Sequence, residues 1–126
     1  LAEDNLICQK LAARLLTKNG YDVTTANNGL EAVEAVERSP DYDIALLDIH
    51  MPLMGGLEAG RAMRERLGFS GQIVALTANT TSEYQQACVD AGFDAFAPKP
   101  IKEQELLTLL TQRSYESKEV SKPKSG

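Results

Sequence analysis

The sequence has no tryptophan, one histidine and two cysteines. The lone His50 excludes a multi-histidine metal site. A Ser-His-Asp triad would have to be built on it, in a stretch with no nucleophile-elbow motif. Cys8 and Cys88 lie in segments of helical pattern and lack a CxxC spacing. They read as reduced small hydrophobes, not as a disulfide or metal pair. No apolar run approaches the roughly 20 residues that a membrane helix needs. The first residues carry neither the basic stretch nor the apolar core of a secretory signal. Positive charge is in deficit, with 13 Lys and Arg against 18 Asp and Glu. The excess acidity is spread along the chain, so the basic footprint of nucleic-acid binding is missing. A glycine-rich nucleotide loop is missing as well.

What is present suits one ordinary globular domain: 126 residues, 43% apolar and 25% charged. Strand and helix patterns alternate. Leu1-Ala2 is a very short apolar start. Asp4 or Asn5 then caps a helix over Leu6–Asn19, whose core face is expected to be Ile7, Leu11 and Leu15. Gly20 ends it. Tyr21–Ala26 alternates and is rich in β-formers, which predicts a strand. After the Asn27-Asn28-Gly29 turn comes a helix over Leu30–Arg38, with Leu30, Val33 and Val36, or Ala32 and Val36, facing inward. Ile44–Leu47 and Ile73–Leu76 are continuous apolar runs, as in strands buried on both faces. Helices are expected over Leu57–Leu67, from Thr81 or Ser82 to Ala91, and over Lys102–Gln112. A brief strand is expected at Asp94–Ala97. Alternation of this kind predicts βαβ crossovers and a doubly wound, flavodoxin-like α/β fold. Its parallel sheet would have five strands, the first nearly absent from the chain. The domain is expected over residues 1–113. Residues 114–126, rich in Ser and Lys, read as a disordered tail or linker.

The polar residues that need explaining follow apolar strands. Glu3 and Asp4 follow the first, Asp48 the third, Thr77 the fourth and Lys99 the fifth. In a parallel sheet these ends share one edge, so the five side chains should converge. Clustered carboxylates repel one another, and a hard cation relieves that repulsion. Mg²⁺ takes oxygen ligands, with one or two protein carboxylates among them. A lysine supplies a second cationic contact to phosphate, and a threonine hydroxyl a hydrogen bond. Those parts suffice to form an aspartyl phosphate. Taken singly, each Asp or Thr could equally cap a helix or shape a turn.

Glu3-Asp4-Asn5, Leu46-Leu47-Asp48-Ile49-His50-Met51-Pro52, Ala75-Leu76-Thr77-Ala78 and Lys99-Pro100 together resemble the receiver domains of two-component signalling. The wording is most similar to receivers of hybrid histidine kinases and phosphorelays. The resemblance covers residues 1–112. It implies that Asp48 is the phosphoacceptor and that Asp4, Glu3, Asp48 and the His50 backbone carbonyl hold Mg²⁺. It further implies that Lys99 and Thr77 contact the phosphoryl group and that Phe96 is an aromatic switch. It allows a cis Lys99–Pro100 bond. The implied partner is a histidine phosphotransfer domain or a histidine kinase; a homodimer is compatible with it. The domain is expected to contact no nucleic acid or membrane and to be cytoplasmic, either alone or as the cytoplasmic part of a larger kinase. The domain would be no enzyme beyond promoting its own phosphorylation and dephosphorylation.

Gly55 departs from the Met-Pro-x-Met-Asp-Gly wording of many relatives, a change expected to alter loop flexibility more than chemistry. His50 and Asn79 read as variable positions flanking the site, and Met51 and Met54 as loop packing. In the first helix, Leu6, Ala12, Ala13 and Leu16 widen the apolar surface, either as tolerated exposure or as a docking patch for the phosphotransfer domain. Two other classes stay open: a degenerate receiver that serves as an interaction module, and a flavodoxin-like small-molecule binder. The acidic loop after the first strand argues against the second.

Overall fold

A computed structural model describes residues 1–78 and 81–110. In chain order the elements are α1 (Leu6–Lys18), α2 (Gly29–Arg38), β1 (Ile44–Asp48), α3 (Gly56–Glu65), β2 (Gln72–Thr77), α4 (Ser82–Asp90) and β3 (Ala95–Pro98). A final helix runs over 103–110. The expected tail over 114–126, the end of the last helix and Asn79 lie outside the described residues. The helix starts follow their caps. Asn5 Oδ1 accepts from Cys8 N at 3.0 Å, Asn28 Oδ1 from Glu31 N at 2.9 Å and Thr81 Oγ1 from Tyr84 N at 3.3 Å.

β1, β2 and β3 pair in that order, all parallel. Ala2 forms single parallel bridges to Ala26 on one side and Leu47 on the other. The row is therefore Ala26, Ala2, β1, β2, β3, the order of a flavodoxin-like sheet. Side chains alternate through it. Ala45, Leu47, Ile73 and Ala75 join the cluster beneath α2, α3 and α4, with Val33, Val36, Met63 and Phe93. Leu46, Val74 and Leu76 join Leu16, Leu106 and Leu110 from α1 and the last helix. Both faces of each strand are covered, which is why the runs are apolar throughout.

Two expectations need correction. Among the described residues three of the five expected strands form ladders, Leu1-Ala2 and Ala26 hold the places of the other two by single bridges, and 21–25 are not in the sheet. Its pairing with Leu1-Ala2 amounts to a few bonds. Ala26 N donates to Leu1 O at 2.8 Å and Glu3 N to Ala26 O at 3.0 Å. A cavity of about 1110 Å³ opens beside Tyr21, Asp22, Val23, Ile44 and Leu110.

The second correction concerns α1, where Ile7 and Leu11 are 73% and 61% exposed and Leu6 is exposed too. The buried stripe is Gln9, Ala12 and Leu16. On α2 the buried residues are Ala32, Val33 and Val36, with Leu30 exposed.

Candidate functional site

The carboxyl edge of the sheet gathers the residues singled out above. Asp48 ends β1 opposite Leu76, and Thr77 ends β2 opposite Pro98. Lys99 follows directly, its N–H donating to Thr77 O at 2.9 Å. The Lys99–Pro100 bond is cis. Lys99 Nζ stands 3.1 Å from Asp48 Oδ2 and 2.9 Å from Glu3 Oε1. Glu3, Asp48 and Thr77 are buried, and Asp4 is exposed at the rim. Carboxylate oxygens of Glu3, Asp4 and Asp48 all lie within 4.8 Å of one another.

This crowding fixes the charge states. Burial pushes the Asp48 carboxyl up to about 6, and the neighbouring Glu3 adds to the rise against the pull of Lys99. Burial also acts upward on Glu3, but Lys99, the Asn5 N–H and Asp48 outweigh it and hold that carboxyl below its ordinary value. Lys99, despite burial, is held above the usual lysine range by the two carboxylates. A proton entering the pair therefore sits on Asp48.

The donor set fits a hard cation. Glu3 Oε1 is buried with no hydrogen-bond partner; the Lys99 ammonium is its ion-pair neighbour. Three carboxylates face one ammonium in a cluster of oxygen donors. One divalent ion balances that excess of negative charge and takes such ligands.

Gln9 and Tyr84, which the sequence did not flag, complete the surroundings together with His50 and Phe96. Gln9, buried on α1, donates from Nε2 to Glu3 O at 2.8 Å, Asn27 Oδ1 at 3.0 Å and Ala26 O at 3.1 Å. His50 N donates to Asp48 Oδ1 at 3.3 Å, and its ring stacks on Tyr84 of α4, with Tyr84 Oη 3.1 Å from His50 Nε2. Phe96 is half-buried on β3 opposite Ala75. It borders a cavity of about 200 Å³ shared with Ile101, Leu106 and Leu109. No polar periodicity marks Gln9 or Tyr84; each is legible only once α1 and α4 are docked.

A parallel α/β sheet with an acidic cluster and a lysine at its carboxyl edge defines a phosphoacceptor-type signalling domain. The family model of the response regulator receiver domain matches residues 1–111, and the chain belongs to that family. Hybrid signal transduction histidine kinase B of Dictyostelium discoideum is 37% identical over 125 residues, covering 90% of this chain and 6% of that kinase. The osmosensing histidine protein kinase SLN1 of Saccharomyces cerevisiae is 32% identical over 129 residues, covering 97% of this chain and 11% of that kinase. The chain thus spans a small part of the curated relatives it matches.

Among solved structures, chemotaxis protein CheY4 of Vibrio cholerae superposes with a TM-score of 0.83 at 28% identity, covering 88% of this chain and 92% of that one. The receiver domain of sensor histidine kinase PA1611 from Pseudomonas aeruginosa superposes with a TM-score of 0.78 at 34% identity, covering 88% and 91%. That structure has a magnesium ion coordinated in its active-site cleft. This chain is a receiver domain of two-component phosphorelay signalling, a phosphoacceptor switch. Among the described residues no helix is long and apolar enough to cross a membrane.

Proposed function

We propose that the chain accepts a phosphoryl group from a phosphohistidine donor onto Asp48 in a Mg²⁺-dependent reaction. The observation that carries this reading is the Lys99 ammonium seated between Asp48 Oδ2 and Glu3 Oε1 at the sheet edge. An Asp48 carboxylate oxygen attacks phosphorus, the bond from phosphorus to the donor imidazole nitrogen breaks, and the electron pair stays on the ring. Lys99 is positioned to neutralise a phosphoryl oxygen, and the His50 N–H orients the carboxylate. Asp4, Glu3, Asp48 and the His50 carbonyl would hold Mg²⁺, which supplies neutralisation of the phosphoryl oxygens when bound.

The product adds roughly −1.5 to −2 charges at the sheet edge. Thr77 would then hydrogen-bond the new group, and Phe96 would move into the space beside it, changing which partner binds. The partner is a histidine phosphotransfer domain or histidine kinase, and the setting is the cytoplasmic part of a hybrid kinase or a separate regulator. The exposed Leu6, Ile7 and Leu11 support a docking face on α1. Catalysis extends only to the domain's own phosphorylation and hydrolysis.

The test is intact-mass measurement after incubation with acetyl phosphate, with and without Mg²⁺, on this chain and on Asp48→Ala. A single phosphoryl gain that needs both Mg²⁺ and Asp48 is expected. No gain in a folded chain would leave an interaction module.

A further inference from the structure

Glu3 and Asp4 sit on a segment with little to hold it. Its sheet bonds stop at Glu3 N, and the three clustered carboxylates push one another apart. From there the chain turns into α1, whose cap Asn5 donates its own N–H to Glu3 Oε2 at 3.1 Å. One more group reaches back. The Gln9 side chain is only 8% exposed, yet it packs against oxygens: Glu3 O, Ala26 O and Asn27 Oδ1. Its amide has two hydrogens for these three acceptors, so one is shared. Asn27 is itself fixed, its N–H donating to Glu31 Oε1 of α2 at 2.8 Å. A buried glutamine on a core-facing stripe normally costs stability unless its amide is satisfied. Here the amide ties α1, the acidic segment and the start of α2 at one point.

We propose that Gln9 is a positioning residue for the metal site. It fixes the backbone that presents Glu3 and Asp4, and thereby sets the affinity for the cation. The inference rests on the Mg²⁺ reading above. Groups that hold a ligand-bearing segment in place affect metal affinity by about 10- to 100-fold.

The probe is Mg²⁺ alone, titrated calorimetrically into the full chain, together with amide hydrogen exchange of residues 3–5 in EDTA. Gln9→Met keeps length and helix propensity but removes both donors. Its dissociation constant is expected to rise about tenfold or more. Exchange at residues 3–5 should quicken while β2 stays protected. Gln9→Lys, which restores a donor, should recover most of the affinity. Should Gln9→Met fail to fold, Asn27→Ala removes one acceptor at an exposed position and should weaken Mg²⁺ binding measurably, by less than the roughly tenfold lower bound for such effects. Wild-type affinity in folded Gln9→Met, or in Asn27→Ala where that variant replaces it, would overturn the role of Gln9 and leave the metal reading intact. No Mg²⁺ uptake by the unsubstituted chain would overturn both.

Discussion

Lys99 Nζ lies 3.1 Å from Asp48 Oδ2, across the ends of strands separated by β2. The contact links the last strand to Asp48, the proposed phosphoacceptor, and it is the principal force lowering a carboxyl that burial and Glu3 raise. Replacing Lys99 with Met should therefore move the Asp48 carboxyl above about 6, because an opposing charge is lost. Carboxyl ¹³C NMR titration in EDTA reads this directly. Phosphorylation by acetyl phosphate should fall at least about tenfold, as expected for loss of a charge-stabilising contact in phosphoryl transfer.

The raised Asp48 carboxyl also gives the metal-free domain a definite pH response. A folded-state value of about 6 against an ordinary 3.8 means that the folded form prefers the protonated acid. Asp48 thus contributes stability that is present below about 3.8 and lost as pH rises toward 6. Asp48→Asn removes this titration. In EDTA the variant should unfold at a higher temperature than the unsubstituted chain at pH 7, and the two midpoints should approach one another near pH 4. A constant gap across that range would contradict the shift.

Much of the site is legible in the sequence because β1 and β2 are buried on both faces. Their apolar runs break off at the carboxyl edge, so Asp48 and Thr77 announce themselves as buried polar residues at strand termini. Lys99 follows by the same logic. The face of α1 is not legible that way. Ile7, Leu11 and Leu15 recur at helical spacing, as do Ala12 and Leu16, and periodicity cannot tell which stripe the sheet covers. Gln9 tips the choice, because its amide has buried carbonyls to satisfy, but a hydrophobic pattern counts it as solvent-facing. The segment 21–26 fails differently. Its β-propensity is real, but a strand exists only through its ladder.

That correction changes how donor docking is tested. Leu16 is 3% exposed, so substituting it tests the core and not the surface. Leu16→Ala should cost about 2–5 kcal/mol, measured by urea unfolding. Ile7→Lys with Leu11→Lys should leave stability within about 0.5 kcal/mol per site. The same pair should slow phosphotransfer from a histidine phosphotransfer domain by about tenfold, the effect of losing roughly 1.4 kcal/mol of contact. Unchanged transfer would remove α1 from the docking face.

The opposite end of the domain depends on Arg64. Its Nη2 pairs with Asp94 Oδ2 at 2.7 Å, and its other nitrogens donate to Gly92 O at 2.9 Å, Phe69 O at 2.6 Å and Gly71 O at 2.8 Å. Asp94 Oδ2 also accepts from Ile73 N at 2.8 Å, so one guanidinium joins α3, the approach to β2 and the approach to β3. Arg64→Met should cost about 2–3 kcal/mol, the scale of charged hydrogen bonds at a partly buried site. Arg64→Lys should recover little of this, because a single ammonium cannot reproduce the planar fork. Both are read from denaturant midpoints.

Gly56 connects stability to chemistry. It opens α3, its N–H donates to Ile49 O at 2.9 Å, and a methyl group on its Cα would run into the Asp48 carbonyl oxygen. The obstacle is backbone in the central sheet, not a flexible side chain, so it cannot yield locally. Gly56→Ala should therefore displace either α3 or the end of β1, at about 1–3 kcal/mol for overpacking. Displacement of β1 carries Asp48 with it, and phosphorylation by acetyl phosphate should fall by more than the unfolded fraction explains. Gly68→Ala is the control. Its φ of +64° carries a backbone penalty, but no atom lies within 4 Å of the added carbon. It should lose stability and keep its phosphorylation rate per folded molecule. Equal rates in the two variants would mean that α3 yields and β1 does not.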